Sequence, residues 1–170
     1  MNGTSVNSVD EDEVVAAADY IIDRIDKISA FTYDSIPLVQ SGDVAAAHWY
    51  VGANIFVSQM PDVLAYIIPK EGATVYQEDI CVLKNAPNKE NAIKFLEFYL
   101  NPEIAALNVE QQMNGTANVP ALELIPQEIA QNETLYPPED VMDMLQIFHD
   151  LGGDIRLYAR EWRRVKSAAR

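Results

Sequence analysis

The chain has 170 residues, of which 49% are apolar and 22% charged, and its 26 acidic and 12 basic side chains give a formal net charge of −14. This is the composition of a folded chain and excludes intrinsic disorder. The negative field repels nucleic acid and anionic membrane and attracts cations, and surplus acids that only keep the chain in solution would give the same charge. No apolar run approaches the ~20 residues that a bilayer-spanning helix needs.

The first predicted element is an amphipathic helix from Asp10 to Ser29, with Val14, Val15, Ala18, Ile21, Ile22, Ile25 and Ile28 at helical spacing. Asp10 is its expected N-cap, and Glu13 completes an acidic variant of a capping box. A short strand is expected at Ala30–Thr32, then a helical turn from Ser35 to Gln40 closed by Gly42. Val44–Tyr50 reads as an apolar strand, Ala53–Gln59 as a helix, Val63–Ile68 as a buried strand stopped by Pro69, and Thr74–Leu83 as extended. Asn88 is expected to cap a helix whose apolar side is Ala92, Ile93, Leu96, Phe98, Tyr99 and Leu100. Pro102 opens the next helix at a position that suits proline. Beyond Ala117, Pro120, Pro126, Pro137 and Pro138 cut the chain into short helical pieces. The last helix runs from Gly153 to Ala168, with Ile155, Tyr158, Ala159, Trp162 and Val165 as its packing stripe. Its Arg156, Arg160, Arg163, Arg164, Lys166 and Arg170 form a solvated basic face. Strands separated by helices argue an α/β fold with crossover connections.

Catalytic patterns fail one after another. There is no GxSxG elbow, phosphate-cradling glycine loop, HExxH or CxxC. Glu78 and Asp79 are adjacent, so on a strand they would point to opposite faces and could not share one substrate atom. The two histidines carry no metal-ligand spacing, and Cys81 reads as a small buried core residue. Neither an enzyme nor a cofactor is expected. What stands out is a set of aromatic and acidic residues at predicted strand ends: Trp49 and Tyr50 before Gly52, Tyr76, Glu78 and Asp79 after the 69–72 turn, and Asp34 after Phe31. Ligands of open α/β sheets sit beyond the carboxyl ends of strands. Aromatic faces with carboxylates suit an organic cation, the rings attracting its ammonium and the carboxylates accepting its hydrogen bonds. Core aromatics beside surface acids would give the same pattern.

The run PKEGATVYQED (Pro69–Asp79), followed by NAPNKENAIKFLEFYLNPEIA (Asn85–Ala105), resembles the periplasmic spermidine/putrescine-binding proteins of ABC transporters. NSVDEDEV near the start, SGDVAAAHWYVG, ETLYP (Glu133–Pro137) and the closing EWRRVKSA fit the same family. The resemblance covers nearly the whole chain and needs no gaps from Ser41 to Pro137. Family members are roughly twice as long, and this chain is similar to their C-terminal half.

The resemblance implies a periplasmic solute-binding-protein-like (type II) fold, represented by a C-terminal portion holding most of the second lobe. It implies three segments: 1–72 in the second lobe, 73–124 crossing to the first, and 125–170 returning as helices. No basic-then-apolar leader follows Met1, which suits either a cytoplasmic protein or a start inside a longer one, and the resemblance favours the second, extracytoplasmic reading. Tyr50 falls where the family has a ligand-stacking tryptophan, Tyr76 at a family aromatic position, and Glu78 at the carboxylate that holds an ammonium. Two positions depart from the family: Asn114, before Gly115-Thr116-Ala117-Asn118, stands where a tyrosine is common, and a family polar residue near Phe148 is lost. Trp49, Asp79 and Asp34 are secondary candidates.

The implied function is capture of putrescine, spermidine or a similar small cation in an interlobe cleft and delivery to an ABC transporter permease. A stand-alone interaction module without ligand, a binding protein for another small solute, and a small enzyme remain alternatives. Apolar surface suited to the absent lobe implies self-association.

Overall fold

The computed structural model describes residues 3–169. Arg170, expected in the basic cluster, lies outside the described residues, as do Met1 and Asn2. The chain divides into two compact units. The first comprises the chain up to Ala47, Lys70–Tyr76 and the chain from Met144; the second comprises His48–Pro69 and Gln77–Asp143. The first expected lobe crossing, near residue 72, falls within the 70–76 segment of the first unit, and the second, near residue 124, falls inside the second unit.

The first unit is built on α1 (Glu11–Ile22), with α2 (Ser35–Gln40) following it. Asp10 caps α1 as expected, its carboxylate accepting from the Asp12 and Glu13 amides. The capping box is not reciprocal, however. Glu13 takes the Ser8 hydroxyl, and Ser8 Oγ in turn accepts from the Asp10 amide. The helix also stops earlier than Ser29, because Arg24 closes it. The guanidinium donates to the Tyr20 carbonyl at 3.0 Å and lies 3.6 Å over the Tyr20 ring, which satisfies an end carbonyl that a further turn would otherwise serve. Residues 25–27 continue only as a 3-10 turn. Gly42, at φ 80°, terminates α2 in the left-handed region that glycine adopts without steric cost.

In the second unit, α3 (Asn54–Gln59) precedes the long helices α4 (Lys89–Tyr99) and α5 (Pro102–Gln112). Three single-turn helices follow: α6 (Val119–Leu122), α7 (Gln127–Ala130) and α8 (Glu139–Met142). Pro102 occupies the first turn of α5 and Asn101 caps it, its side chain accepting from the Glu103 and Ile104 amides. Asn88, the expected cap of α4, makes no side-chain capping bond. The core gathers Ala105, Ala106 and Val109 of α5 with Ala121 and Ile125, and Leu122, Ile129, Ala130 and Tyr136 pack against it. Small residues on α5 let the following short helices approach closely.

Several expected strands do not form. Residues 30–32, 44–50 and 63–68 carry no regular structure, and of 74–83 only β1 (Thr74–Val75) is a strand. It pairs in parallel with β2 (Gln146–Ile147), Thr74 opposite Gln146 and Val75 opposite Ile147. Apolar composition marks a segment that can be a strand, but a ladder needs a partner for its amides and carbonyls. No second strand pairs with these segments among the described residues, and Val63, Ile67 and Leu83 are exposed. Cys81 is likewise exposed and not the core residue that its apolar neighbours suggested.

The last helix, α9 (Ile155–Ala168), packs on α1 within the first unit. Its buried positions are Glu161 and Val165, with Tyr158 half-buried, whereas Ile155, Ala159 and Trp162 are exposed. The packing stripe is therefore rotated from the purely apolar one, because Glu161 is held between Arg160 and Arg164 at 2.7 Å each. These arginines also reach Glu11 and Asp19 of α1 at 2.6 Å, so part of the expected solvated face is an interhelical ion-pair network. The two guanidinium groups hold the Glu161 carboxyl below the ordinary carboxylate range, the bond from Arg160 contributing most.

Candidate functional site

Of the expected residues, Trp49, Tyr50, Glu78, Asp79 and Asn114 belong to the second unit, and Asp34 and Tyr76 to the first. Trp49, Tyr50 and Asn114 gather at the turn that leads into α3.

Trp49 and Tyr50 precede a 3-10 turn at Val51–Ala53, and Tyr50 is its extended N-cap residue. As neighbours on the expected 44–50 strand they would have pointed to opposite faces. With no strand at 44–50, their rings instead meet edge to face, 6.0 Å between centroids and 71° between planes. Trp49 is half-buried, and its carbonyl accepts from the Tyr66 hydroxyl at 3.2 Å. Tyr50 is 56% exposed, which leaves much of its ring accessible to a ligand.

Asn114 is brought against this turn by the end of α5. Met113 caps that helix in the left-handed conformation, φ 51° and ψ 42°, a region that costs a non-glycine residue roughly 1–2 kcal/mol. Asn114 then packs on Gly52 so closely that a Cβ at position 52 would lie 3.2 Å from Asn114 Oδ1 and 3.7 Å from the Gln112 carbonyl oxygen. A side chain at position 52 would therefore press on residues 112–114, although the backbone angles of Gly52 are ones that any residue can adopt. Asn114 Oδ1 is buried and has no hydrogen-bond donor. An unsatisfied buried acceptor of this kind costs on the order of 1–3 kcal/mol.

Residues that had no role in the expected site hold this turn in place. Asn54 is 4% exposed, and its Nδ2 donates to the Val51 carbonyl and to Thr134 Oγ1, both at 2.9 Å. Thr134 donates in turn from its amide and hydroxyl to Asn132 Oδ1. Tyr136 accepts from the Thr116 amide at 3.3 Å, and burial pushes its phenol pKa up. A Cβ at Gly115 would come within 3.1 Å of the Leu135 carbonyl. The ETLYP stretch is therefore the brace between the 51–54 turn and the 114–116 segment. The signal for it was present in the sequence as a motif, but without a role.

Glu78 and Asp79 are exposed and lie outside any strand, so the alternation that would send them to opposite faces does not operate. Asp79 accepts from Gln77 Nε2 at 2.9 Å. In the first unit, Tyr76 follows β1 directly and is 41% exposed. Asp34 precedes α2 without capping it, and its amide donates to Thr32 Oγ1. Phe31, expected on a strand before Asp34, instead meets Trp162 edge to face at 4.9 Å. Among the described residues, no group of three or more His, Cys, Asp and Glu side chains could hold a metal ion.

The chain belongs to the bacterial extracellular solute-binding protein family, whose model matches residues 1–137. This is a family of transport proteins, not of enzymes.

The spermidine/putrescine-binding periplasmic protein of Escherichia coli (strain K12) is 27% identical over 167 residues, which is 97% of this chain and 48% of that protein. The putrescine-binding periplasmic protein SpuD of Pseudomonas aeruginosa (strain UCBPP-PA14) is 38% identical over 105 residues, 60% of this chain and 28% of that protein. A solved structure from Listeria monocytogenes, assigned as a spermidine/putrescine ABC transporter, superposes with a TM-score of 0.83 at 29% identity. It covers 98% of this chain and 51% of that chain. The fold is thus α/β, of the periplasmic solute-binding-protein type, and the chain spans about half the length of the curated relatives that it matches.

Proposed function

We propose that the chain is the C-terminal portion of an extracytoplasmic solute-binding component of an ABC transporter, which captures a polyamine or similar small organic cation and delivers it to a membrane permease. The observation that carries this reading is the similarity along 97% of the chain to a periplasmic protein named for spermidine and putrescine binding. The chemistry agrees. A net charge of −14 concentrates cations near the surface. Tyr50 and Tyr76 offer aromatic faces to an ammonium and to the methylenes beside it, and Glu78 accepts its charged hydrogen bonds. Asn114 Oδ1, a buried acceptor without a donor, would gain one from a ligand N–H. Asp79, Asp34 and Trp49 assist in the same reading. Capture works by population shift, since ligand stabilises the closed form that it binds better.

Isothermal titration with putrescine and spermidine, beside a Glu78→Gln variant, tests the reading. Saturable binding that the variant weakens by roughly 10- to 100-fold, as for the loss of one charge-assisted hydrogen bond, is expected. An absence of heat with both polyamines overturns the ligand class. Unchanged affinity in the variant overturns the role of Glu78.

A further inference from the structure

Basic side chains are scarce in this chain, and half of them fall between Arg156 and its end. Four described arginines of α9 divide into two kinds. Arg160 and Arg164 are spent on α1, bonding Glu11 and Asp19 at 2.6 Å while sharing Glu161. Arg156 and Arg163 are exposed and have no carboxylate within ion-pair distance among the described residues. Residues 156, 160 and 163 stand four and three apart, so they share one line along the helix. They border a groove of about 440 Å³, with Val9 and Leu157 as its apolar lining and Glu11 and Asp154 as its acids.

We infer that this groove is a docking surface for a protein partner that presents carboxylates from a helix, with Arg156 and Arg163 as the side chains that recognise it. The way α9 already engages α1 supports that partner chemistry. Helical carboxylates at Glu11 and Asp19 meet arginines of the same helix, and Arg156 and Arg163 continue that basic row without a mate. Repulsion between two bodies of charge −14 opposes a second copy at a contact made by two arginines, because association of like-charged copies needs an extended apolar face instead. The partner is therefore neutral or basic overall and acidic at the contact. Val9, 56% exposed, supplies the apolar contact beside the charges. Guanidinium groups suit this role because their fork of donors matches a carboxylate in bidentate geometry.

The test uses the full chain and two labelled helix-forming peptides, one with glutamate at positions i, i+4 and i+7 and one with glutamine there, read by fluorescence anisotropy. The expected result is saturable binding of the glutamate peptide only, weaker at about 300 mM than at about 50 mM salt. Binding is expected to be roughly fivefold weaker in an Arg156→Gln/Arg163→Gln double variant. Neither arginine makes an ion pair among the described residues, so the variant should keep its melting midpoint. A Lys89→Gln/Lys94→Gln variant removes the same charge from the second unit and should leave the affinity close to that of the parent. Equal weakening in both variants, equal binding of the two peptides, or no saturable binding overturns the inference. So does arginine-dependent binding to phosphatidylglycerol vesicles without binding to the peptide, which would assign the row to a lipid surface.

Discussion

Gly72 and Met144 approach so closely that a Cβ on Gly72 would lie 2.7 Å from the Met144 carbonyl oxygen. Gly72 also has φ 98°, and the two residues flank the ends of the parallel pair β1–β2. The glycine of the PKEG turn is thus fixed twice over, by its backbone angle and by contact. Gly72→Ala is expected to destabilise the first unit by about 1–3 kcal/mol. A urea midpoint within error of the parent's would contradict this account of the turn.

Glu161 lies buried between two arginines that are themselves tied to α1, and its pKa is lowered in the fold. A group with a lowered folded-state pKa contributes stability that is present above its unfolded pKa and lost as pH falls through the folded one. The α1–α9 pair should therefore hold its stability at neutral pH and lose it in acid, below the ordinary carboxylate range. Melting midpoints from neutral to acidic pH check this. In Glu161→Gln the midpoint at neutral pH should drop and the acid dependence should shrink.

Asn54 is the buried brace of the Tyr50–Asn114 turn, with two bonds from one amide nitrogen. Asn54→Ala leaves the Val51 carbonyl and the Thr134 hydroxyl without their donor, at an expected cost of about 1–3 kcal/mol. Thr134→Ser keeps the hydroxyl and should cost much less. Chemical denaturation of both variants compares them, and if the turn orders the ligand site, polyamine affinity should fall in the first and persist in the second.

Ile93, Phe95 and Phe98 of α4, with Ile80 and Leu83 before it, are exposed large apolar residues of the second unit. Phe95 and Phe98 share one face of α4, and an exposed apolar face of this kind favours association. The chain alone should show a concentration-dependent mass by light scattering. Phe95→Glu/Phe98→Glu should reduce it, and a mass independent of both concentration and variant would exclude association through this face.

The helices were legible because their signals are local. Asp10 before an acidic first turn, Pro102 after Asn101, and Gly42 after Gln40 each act within one turn of chain, and each operates as read. The order of motifs from PKEG to ETLYP likewise carried the family, since it needs only residue identity and spacing. Strands at 44–50 and 63–68 were over-read, because composition cannot say whether a second backbone lies alongside to complete a ladder. Four residues of the candidate site could be named from the sequence. Tyr50, Tyr76, Glu78 and Asn114 follow from aromatic and acidic chemistry and from the resemblance. The brace of Asn54, Thr134 and Tyr136 joins positions 80 residues apart between Asn54 and Thr134, and no local pattern announces it.

By itself the sequence determined the helix boundaries marked by caps and proline, the negative field and the solute-binding family. Only the tertiary structure decided that α9 turns Glu161 inward and Trp162 outward. A carboxylate can be buried when two guanidinium groups neutralise it, and that compensation depends on which helix lies opposite, not on the periodicity of the stripe.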